Sequence, residues 1–351
     1  MVGILLVDAM NLAWKAIHAY DLSTSSEINT SSLYGFLNQL SSVLEKRKMK
    51  TIVVWDGGYK DRTILSESGI SKGIIKKAYK SNRNKFEDDE KLKTIYNQID
   101  LIKEFLTYTD VKQVKVDDEE ADDVIATYCE KIKDKRSVLC FTCDKDYYQL
   151  LDNEVSILNR LKGEEKIITR SSFKADYGIE PYQWVDVGAL AGDVGDCICG
   201  VPGCGEGIAL DYIKQYTSVF DMLACIKDKL EPLRVACPDL STQDEIDQLT
   251  QLGGIRGSSP NFADCYVNMP YTGVAMAFLR KEIKNIKKIE LKFAMYEDRI
   301  RLAFKLKNMN REINVPNISF NKSFDKDKIA AFCERFEMKS IIYKMENFNL
   351  I

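Results

Sequence analysis

Three features of the sequence predict an α/β fold, a parallel sheet flanked by helices and followed by a second, helical region. Short apolar runs near the N-terminus end in an acidic residue, as in "GILLVD" (3–8) and "TIVVWDGG" (51–58). Helically spaced apolar residues lie between those runs, the alternation that parallel sheets require. From Gly178 onward the pattern is helical, with turn glycines crowded between Gly192 and Gly207.

The first run, "GILLVD", is apolar at successive positions and reads as a strand buried on both faces. A helix is expected from Asn11 to about Tyr20, and another over "LYGFLNQLSSVLEKRKMK" (33–50), before the second strand and its loop at 51–58. "VDDEEADDVIATYCEKIKDK" reads as a helix with acids in its first turn and with Val124, Ile125, Tyr128 and Ile132 facing inward. "SVLCFTCDKD" (137–146) and "EVSILN" (154–159) supply a third and a fourth strand. Residues 69–93, "GISKGIIKKAYKSNRNKFEDDEKLK", are basic and poorly periodic, and are not expected to join a core. Residues 1–175 and 176–351 are expected to form separate domains. Within the second, Pro232 to Pro270 reads as an inserted polar segment, and 278–307 is strongly basic.

Composition narrows the chemistry. With 351 residues, 45% hydrophobic and 29% charged, the chain reads as globular and able to bury a sizeable core. No stretch approaches the roughly 18–20 apolar residues that span a bilayer. The N-terminal apolar run has no basic flank and contains an Asp, so a cytoplasmic protein is expected (host cytoplasm if viral), with no membrane partner. Ten cysteines then read as reduced thiols. The single histidine, His18, excludes most Ser–His and Cys–His catalysis and reads as a surface or packing residue. Carboxylates, lysines and metal ions are left to do any chemistry.

Acids recur where open sheets place their sites, at the C-terminal ends of strands: Asp8, Asp56, Asp144 and Asp146. Glu120, Asp122 and Asp123 open a helix, and Asp193 and Asp196 lie in "GDVGDCICGVPGCGEG" (192–207). Each piece alone has a plain reading, since helix first turns favour acids through the dipole. Together they are costly, because unit charges about 4 Å apart repel by roughly 4 kcal/mol at an effective dielectric of 20. Oxygen-only ligands suit hard cations such as Mg²⁺ or Mn²⁺. Two such ions can activate a water, steady a leaving oxygen and clamp a phosphodiester.

The segments "LLVDAMNL", "VVWDGG", "AYKSNR", "EEADDVIA", "TCDKDYYQLL" and "GDVGDCICGVPGCGEG" resemble, in the same order, those of the flap endonuclease and 5′→3′ exonuclease family, especially its bacteriophage and bacterial members. The resemblance covers residues 3 to about 220, and "FCERFEMKSII" is similar to that family's closing helix. It implies a PIN-like sheet with a helical arch at 69–93 and a helix–hairpin–helix in the C-terminal region. One metal site would use Asp8, Asp56, Glu120 and Asp122, with Asp123 close by; the other would use Asp144, Asp146, Asp193 and Asp196. Mg²⁺, two or more ions per site and replaceable by Mn²⁺, is the cofactor implied. Tyr79, Lys80 and Arg83 match the arch element "YKxxR": Lys80 and Arg83 would stabilise the scissile phosphate and Tyr79 would stack on a base. Gly200, Val201, Gly203 and Gly205 would form the hairpin turn on duplex phosphate, with Lys214 assisting.

The sequence departs from the family pattern at Cys197 (usually Asn), Cys199 (often Pro) and Gly207 (usually Lys). Net charge is −3, but outside the carboxylate set the chain is basic, with Lys and Arg crowding 72–93 and 280–311, as phosphate contacts need. The implied function is a structure-specific 5′ nuclease, against which three rival readings stand. A dehalogenase-like phosphatase fits poorly because "DKDYYQL" lacks the small residue needed after the second Asp. A non-catalytic helix–hairpin–helix protein would not need the full acid set, and a PIN-like ribonuclease keeps the fold but changes the substrate. A zinc or iron–sulfur site on Cys140, Cys143, Cys197, Cys199 or Cys204 lacks a clear second pair. Expected partners are branched or 5′-ended DNA, an RNA–DNA hybrid and replication proteins, with the chain a monomer.

Overall fold

The apolar N-terminal run forms β1, Ile4–Asp8, whose residues 4 to 7 are at most 3% exposed. The structure, a computed structural model, describes residues 3–82, 90–161, 164–236 and 287–350. By contacts the chain separates into two units, one comprising Met1–Lys60, Lys85–Asp176 and Met309–Ile351, the other Asp61–Asn84 and Tyr177–Asn308.

In the first unit β1 leads into α1, Ala9–Ala19, and then α2, Ser31–Lys46. β2 is Lys50–Trp55, and α3, Lys60–Ser71, begins at the unit's edge. α4, Glu90–Thr107, precedes β3, Lys112–Lys115; α5, Ala121–Ile132, precedes β4, Val138–Phe141. A 3-10 turn at Lys145–Leu150 leads to β5, Val155–Leu161, and β6, Glu164–Ile168, followed by α6, Arg170–Tyr177. The sheet order is β3-β2-β1-β4-β5-β6, parallel except for the antiparallel β5–β6 pair. Ile4 stands opposite both Lys50 and Val138, so β1 is central and strand order reverses around it. Asp8, the last residue of β1, therefore lies at the switch point where open sheets hold their ligands.

α1 starts where it does because the Asp8 carboxylate accepts the Asn11 N–H at 3.0 Å and caps the helix. α2 buries Leu33, Phe36, Leu37, Leu40, Val43 and Leu44 against the sheet side of the core, the face set by their helical spacing. The same core takes Phe332, Ile341 and Phe348 from the C-terminal segment. Asp110 fastens that segment: its carboxylate accepts Ser323 N–H at 2.7 Å, Phe324 N–H at 3.1 Å and Leu350 N–H at 2.9 Å.

The second unit holds α7, Trp184–Ala191, the two-stranded β7–β8 pair (Gly192–Asp193 with Ile198–Cys199), and α8, Glu206–Ile213. α9, Val219–Ala236, α10, Lys288–Met295, and α11, Glu297–Lys307, complete it. α12, Lys326–Arg335, belongs to the first unit and carries the "FCER" segment. α7 packs on α11 through a face of small and branched residues, with Val187, Ala189, Leu190, Ile300 and Ala303 at most 2% exposed.

Neither unit is a single continuous stretch of the chain. Residues 61–82 pack into the second unit: the Arg62 Nε donates to Leu306 O at 3.0 Å, and Ile75 and Tyr79 are each 4% exposed. The part of 69–93 expected to stay out of a core thus contributes to one, because two apolar side chains in a basic run suffice to anchor it. Among the described residues, no helix is long and apolar enough to cross a membrane.

Candidate metal centre and nucleic-acid interface

In the first unit the carboxylates are held by backbone N–H groups at element ends. Asp56 Oδ1 accepts the Ala121 N–H at 2.8 Å, so the loop after β2 caps α5. Gly57 makes this possible: a Cβ there would lie 1.7 Å from Val116 O, while its own N–H reaches Glu119 O at 2.8 Å. Ligand oxygens of Glu120, Asp122 and Asp123 at the start of α5 lie within 4.8 Å of one another. Glu120 and Asp123 are 4% and 5% exposed, and Asp123 Oδ1 accepts the Asn310 N–H at 2.8 Å. Asp144 Oδ1 accepts the Asp146 N–H at 2.8 Å, fixing both acids at the end of β4.

Asp8 receives three neutral donors: Asn11 N–H, the Tyr147 hydroxyl at 3.1 Å and the Thr142 hydroxyl at 3.3 Å. Burial and then the neighbouring Asp56 carboxylate, with Asp122 adding to it, push its carboxyl up to about 7 despite those donors. An all-oxygen set that is partly buried and crowded with like charge has the chemistry of a divalent-cation site.

In the second unit the "GDVGD" loop is closed by Asp193, whose Oδ1 accepts Gly195 N–H at 2.8 Å and Asp196 N–H at 3.3 Å. Its Oδ2 meets Lys307 Nζ at 2.7 Å. Burial raises the Asp193 carboxyl, but the Lys307 ammonium together with the Asp196 and Gly195 N–H groups brings the net shift downward. Lys80 is 7% exposed, donates its N–H to Asp196 O at 3.0 Å, and places Nζ 3.9 Å from Asp196 Oδ2. The Tyr79 ring is 4% exposed beneath the Lys80 ammonium, 4.9 Å from its centroid, which corrects the expectation that it offers a face to a base. Arg83 lies outside the described residues.

The hairpin turn between α7 and α8 divides by job. Val201 is 2% exposed and donates its N–H to Leu190 O at 2.8 Å; a Cβ on Gly200 would lie 2.3 Å from Ala191 C and O. Those two residues hold the turn together. Gly203, at φ 79°, and Gly205 are exposed, and a Cβ on Gly205 or Gly207 would meet nothing within 4 Å. The open N-terminus of α8 is therefore the part of the turn that faces outward, while Lys214, the C-cap of α8, is exposed at the helix's other end.

A family model described as the 5′-3′ exonuclease N-terminal resolvase-like domain matches residues 3–178. The chain belongs to the 5′-3′ exonuclease family. As a member of it, the chain is 32% identical over 221 residues to a 5′-3′ exonuclease of Aquifex aeolicus, covering 62% of this chain and 71% of that one. It is 33% identical over 235 residues to a thermostable DNA polymerase I of Thermus thermophilus, covering 66% and 26%. It thus spans about a quarter of the length of the DNA polymerase I relatives it matches. Among solved structures, a zinc-bound T5 5′-exonuclease aligns with TM-score 0.57 at 18% identity, covering 97% of this chain and 99% of that one. The catalytic core of Rad2 in complex with DNA substrate aligns with TM-score 0.52 at 14% identity, covering 97% and 92%. These likenesses establish that this 5′-3′ exonuclease family member has the PIN-like nuclease fold.

Lys307 was not among the residues expected at the family's site, because it ends a run of lysines that reads as a phosphate-facing surface. The signal lies in its spacing: Ile300, Ala303 and Lys307 share one face of α11, and the first two are buried.

Proposed function

We propose that the chain is a divalent-metal-dependent, structure-specific 5′ nuclease that hydrolyses phosphodiesters near 5′ ends or flap junctions in DNA. The observation that carries this reading is the acid cluster of Asp8, Asp56, Glu120, Asp122 and Asp123 at the ends of β1 and β2 and the start of α5, with Glu120 and Asp123 buried, in a member of a nuclease family. Mg²⁺, with Mn²⁺ as substitute, is the cofactor proposed; when bound it supplies activation of water and charge stabilisation at the phosphate.

The protein's own contribution is placement. Asn11, Thr142 and Tyr147 aim Asp8, the N–H of Ala121 aims Asp56, and Asn310 aims Asp123. Asp144 and Asp146, with Asp193 and Asp196, are proposed as the second ligand group on the family motif. Lys80 and Arg83 are proposed to stabilise charge on the scissile phosphate, Gly203 and Gly205 to hold duplex phosphate at the start of α8, and Lys214, at the C-terminal end of that helix, to assist duplex binding. Labelled flap, nicked, gapped and RNA–DNA hybrid substrates incubated with Mg²⁺ test the reading. Metal-dependent release of 5′ products is the expected result; cleavage of single-stranded RNA alone would replace it with a ribonuclease.

A further inference from the structure

The Asp193 carboxylate already carries a cation. Lys307 is 7% exposed, and a lysine buried to that degree needs a partner. Its Nζ lies 2.7 Å from Asp193 Oδ2, while Gly195 and Asp196 N–H groups engage Oδ1, so both oxygens are engaged within the second unit. The stem is laid along a track. A Cβ on Gly188 of α7 would lie 3.2 Å from Lys307 Cε and 3.5 Å from Cγ. Glycine in a helix interior costs about 1 kcal/mol relative to alanine, and here it leaves the surface across which the stem reaches Asp193.

We propose that Lys307 is a positioning residue, a resident counter-ion that orients Asp193 and competes with the divalent ion for Oδ2. An ion that binds Asp193 must share or displace an ammonium, which weakens that ion and makes its occupancy depend on metal concentration. Lys80 faces Asp196 from 3.9 Å, so the two acids of the loop each begin beside a lysine. The inference rests on the proposed role of Asp193 as a metal ligand.

Mn²⁺ binding to the full chain, followed by the electron paramagnetic resonance signal of the free ion, tests it. Lys307→Met should bind its weakest ion at least about tenfold more tightly, and Lys307→Arg should remain within about twofold of the wild-type value. Gly188→Ala, which crowds the stem without removing the charge, should shift the affinity in the same direction as Lys307→Met by a smaller factor, and decides the question if Lys307→Met does not fold. Unchanged or weaker binding in these variants, with Asp193→Asn losing one ion, overturns the counter-ion role alone. Asp193→Asn retaining every ion removes Asp193 from the ligand set and overturns the inference with it.

Discussion

Tyr147 donates its buried hydroxyl to Asp8 Oδ2 at 3.1 Å. Desolvation, followed by the Asp8 charge, pushes the phenol well above its ordinary range, so it stays a donor at every working pH. Tyr147→Phe should cost about 1–3 kcal/mol at pH 8, where Asp8 is ionised and needs the donor. The cost should be smaller at pH 5, below the value of about 7 to which Asp8 is raised. Urea unfolding with a chelator present measures both, and equal losses would break the link to the Asp8 charge.

A second pH dependence comes from Asp186 on α7. It is 3% exposed and its Oδ1 accepts the Val219 N–H at 3.2 Å. Burial, with Asp221 nearby, raises its carboxyl to about 7. A raised carboxyl means that the folded state holds its proton more tightly than the unfolded state. The stability it contributes is complete below about 4 and is lost as pH rises through about 7. Asp186→Asn keeps an acceptor for Val219 and should flatten the fall in Tm between pH 5 and pH 8; a slope identical to wild type would count against it.

The acid cluster should make metal stabilising as well as catalytic. Millimolar Mg²⁺ is expected to raise Tm by relieving carboxylate repulsion, and to do so more at pH 8 than at pH 6. Asp144→Asn should abolish cleavage of a labelled flap while leaving flap binding within about threefold. Turnover by that variant would take Asp144 out of the site.

The hairpin turn separates structural from binding glycines. Gly200→Ala places a Cβ against the Ala191 backbone and should cost more than about 2 kcal/mol. Gly207→Lys meets nothing within 4 Å and should leave stability within about 0.5 kcal/mol, the gain from replacing glycine being offset by a cation at the positive end of α8. If duplex phosphate sits at that helix start, Gly207→Lys should also tighten duplex binding and steepen its salt dependence by about one contact. Unchanged affinity across a salt series would move the duplex elsewhere.

Much of this was legible in the sequence because burial on both faces leaves an unbroken apolar run. β1, β2, β4 and β5 were readable that way, and each acid after a strand was found at its C-terminal end. β3, "KQVK", was not, since its lysines and short length carry no apolar run. β6, "EEKII", escaped for a related reason: as the antiparallel edge strand it is largely exposed and needs charge rather than core residues. The burial of Ile75 and Tyr79 was hidden by the basic residues around them, whose composition outweighed two apolar positions. Lys307 shows the converse, a charge on an apolar face whose meaning depends on Gly188 and Asp193, far away in sequence.

The clamp on Asp110 sets an order on biosynthesis. The acids proposed as ligands in the first unit, Asp8 to Asp146, have been translated once residue 146 is joined, yet Asp110 receives an N–H from Leu350. Phe332, Ile341 and Phe348 must arrive before the core beneath those acids is filled. Contacts separated by so many residues are slow to form, and here they cannot form until the whole second unit has left the ribosome. A nascent chain therefore carries these carboxylates well before the C-terminal segment, whose packing fills the core beneath them, has been made.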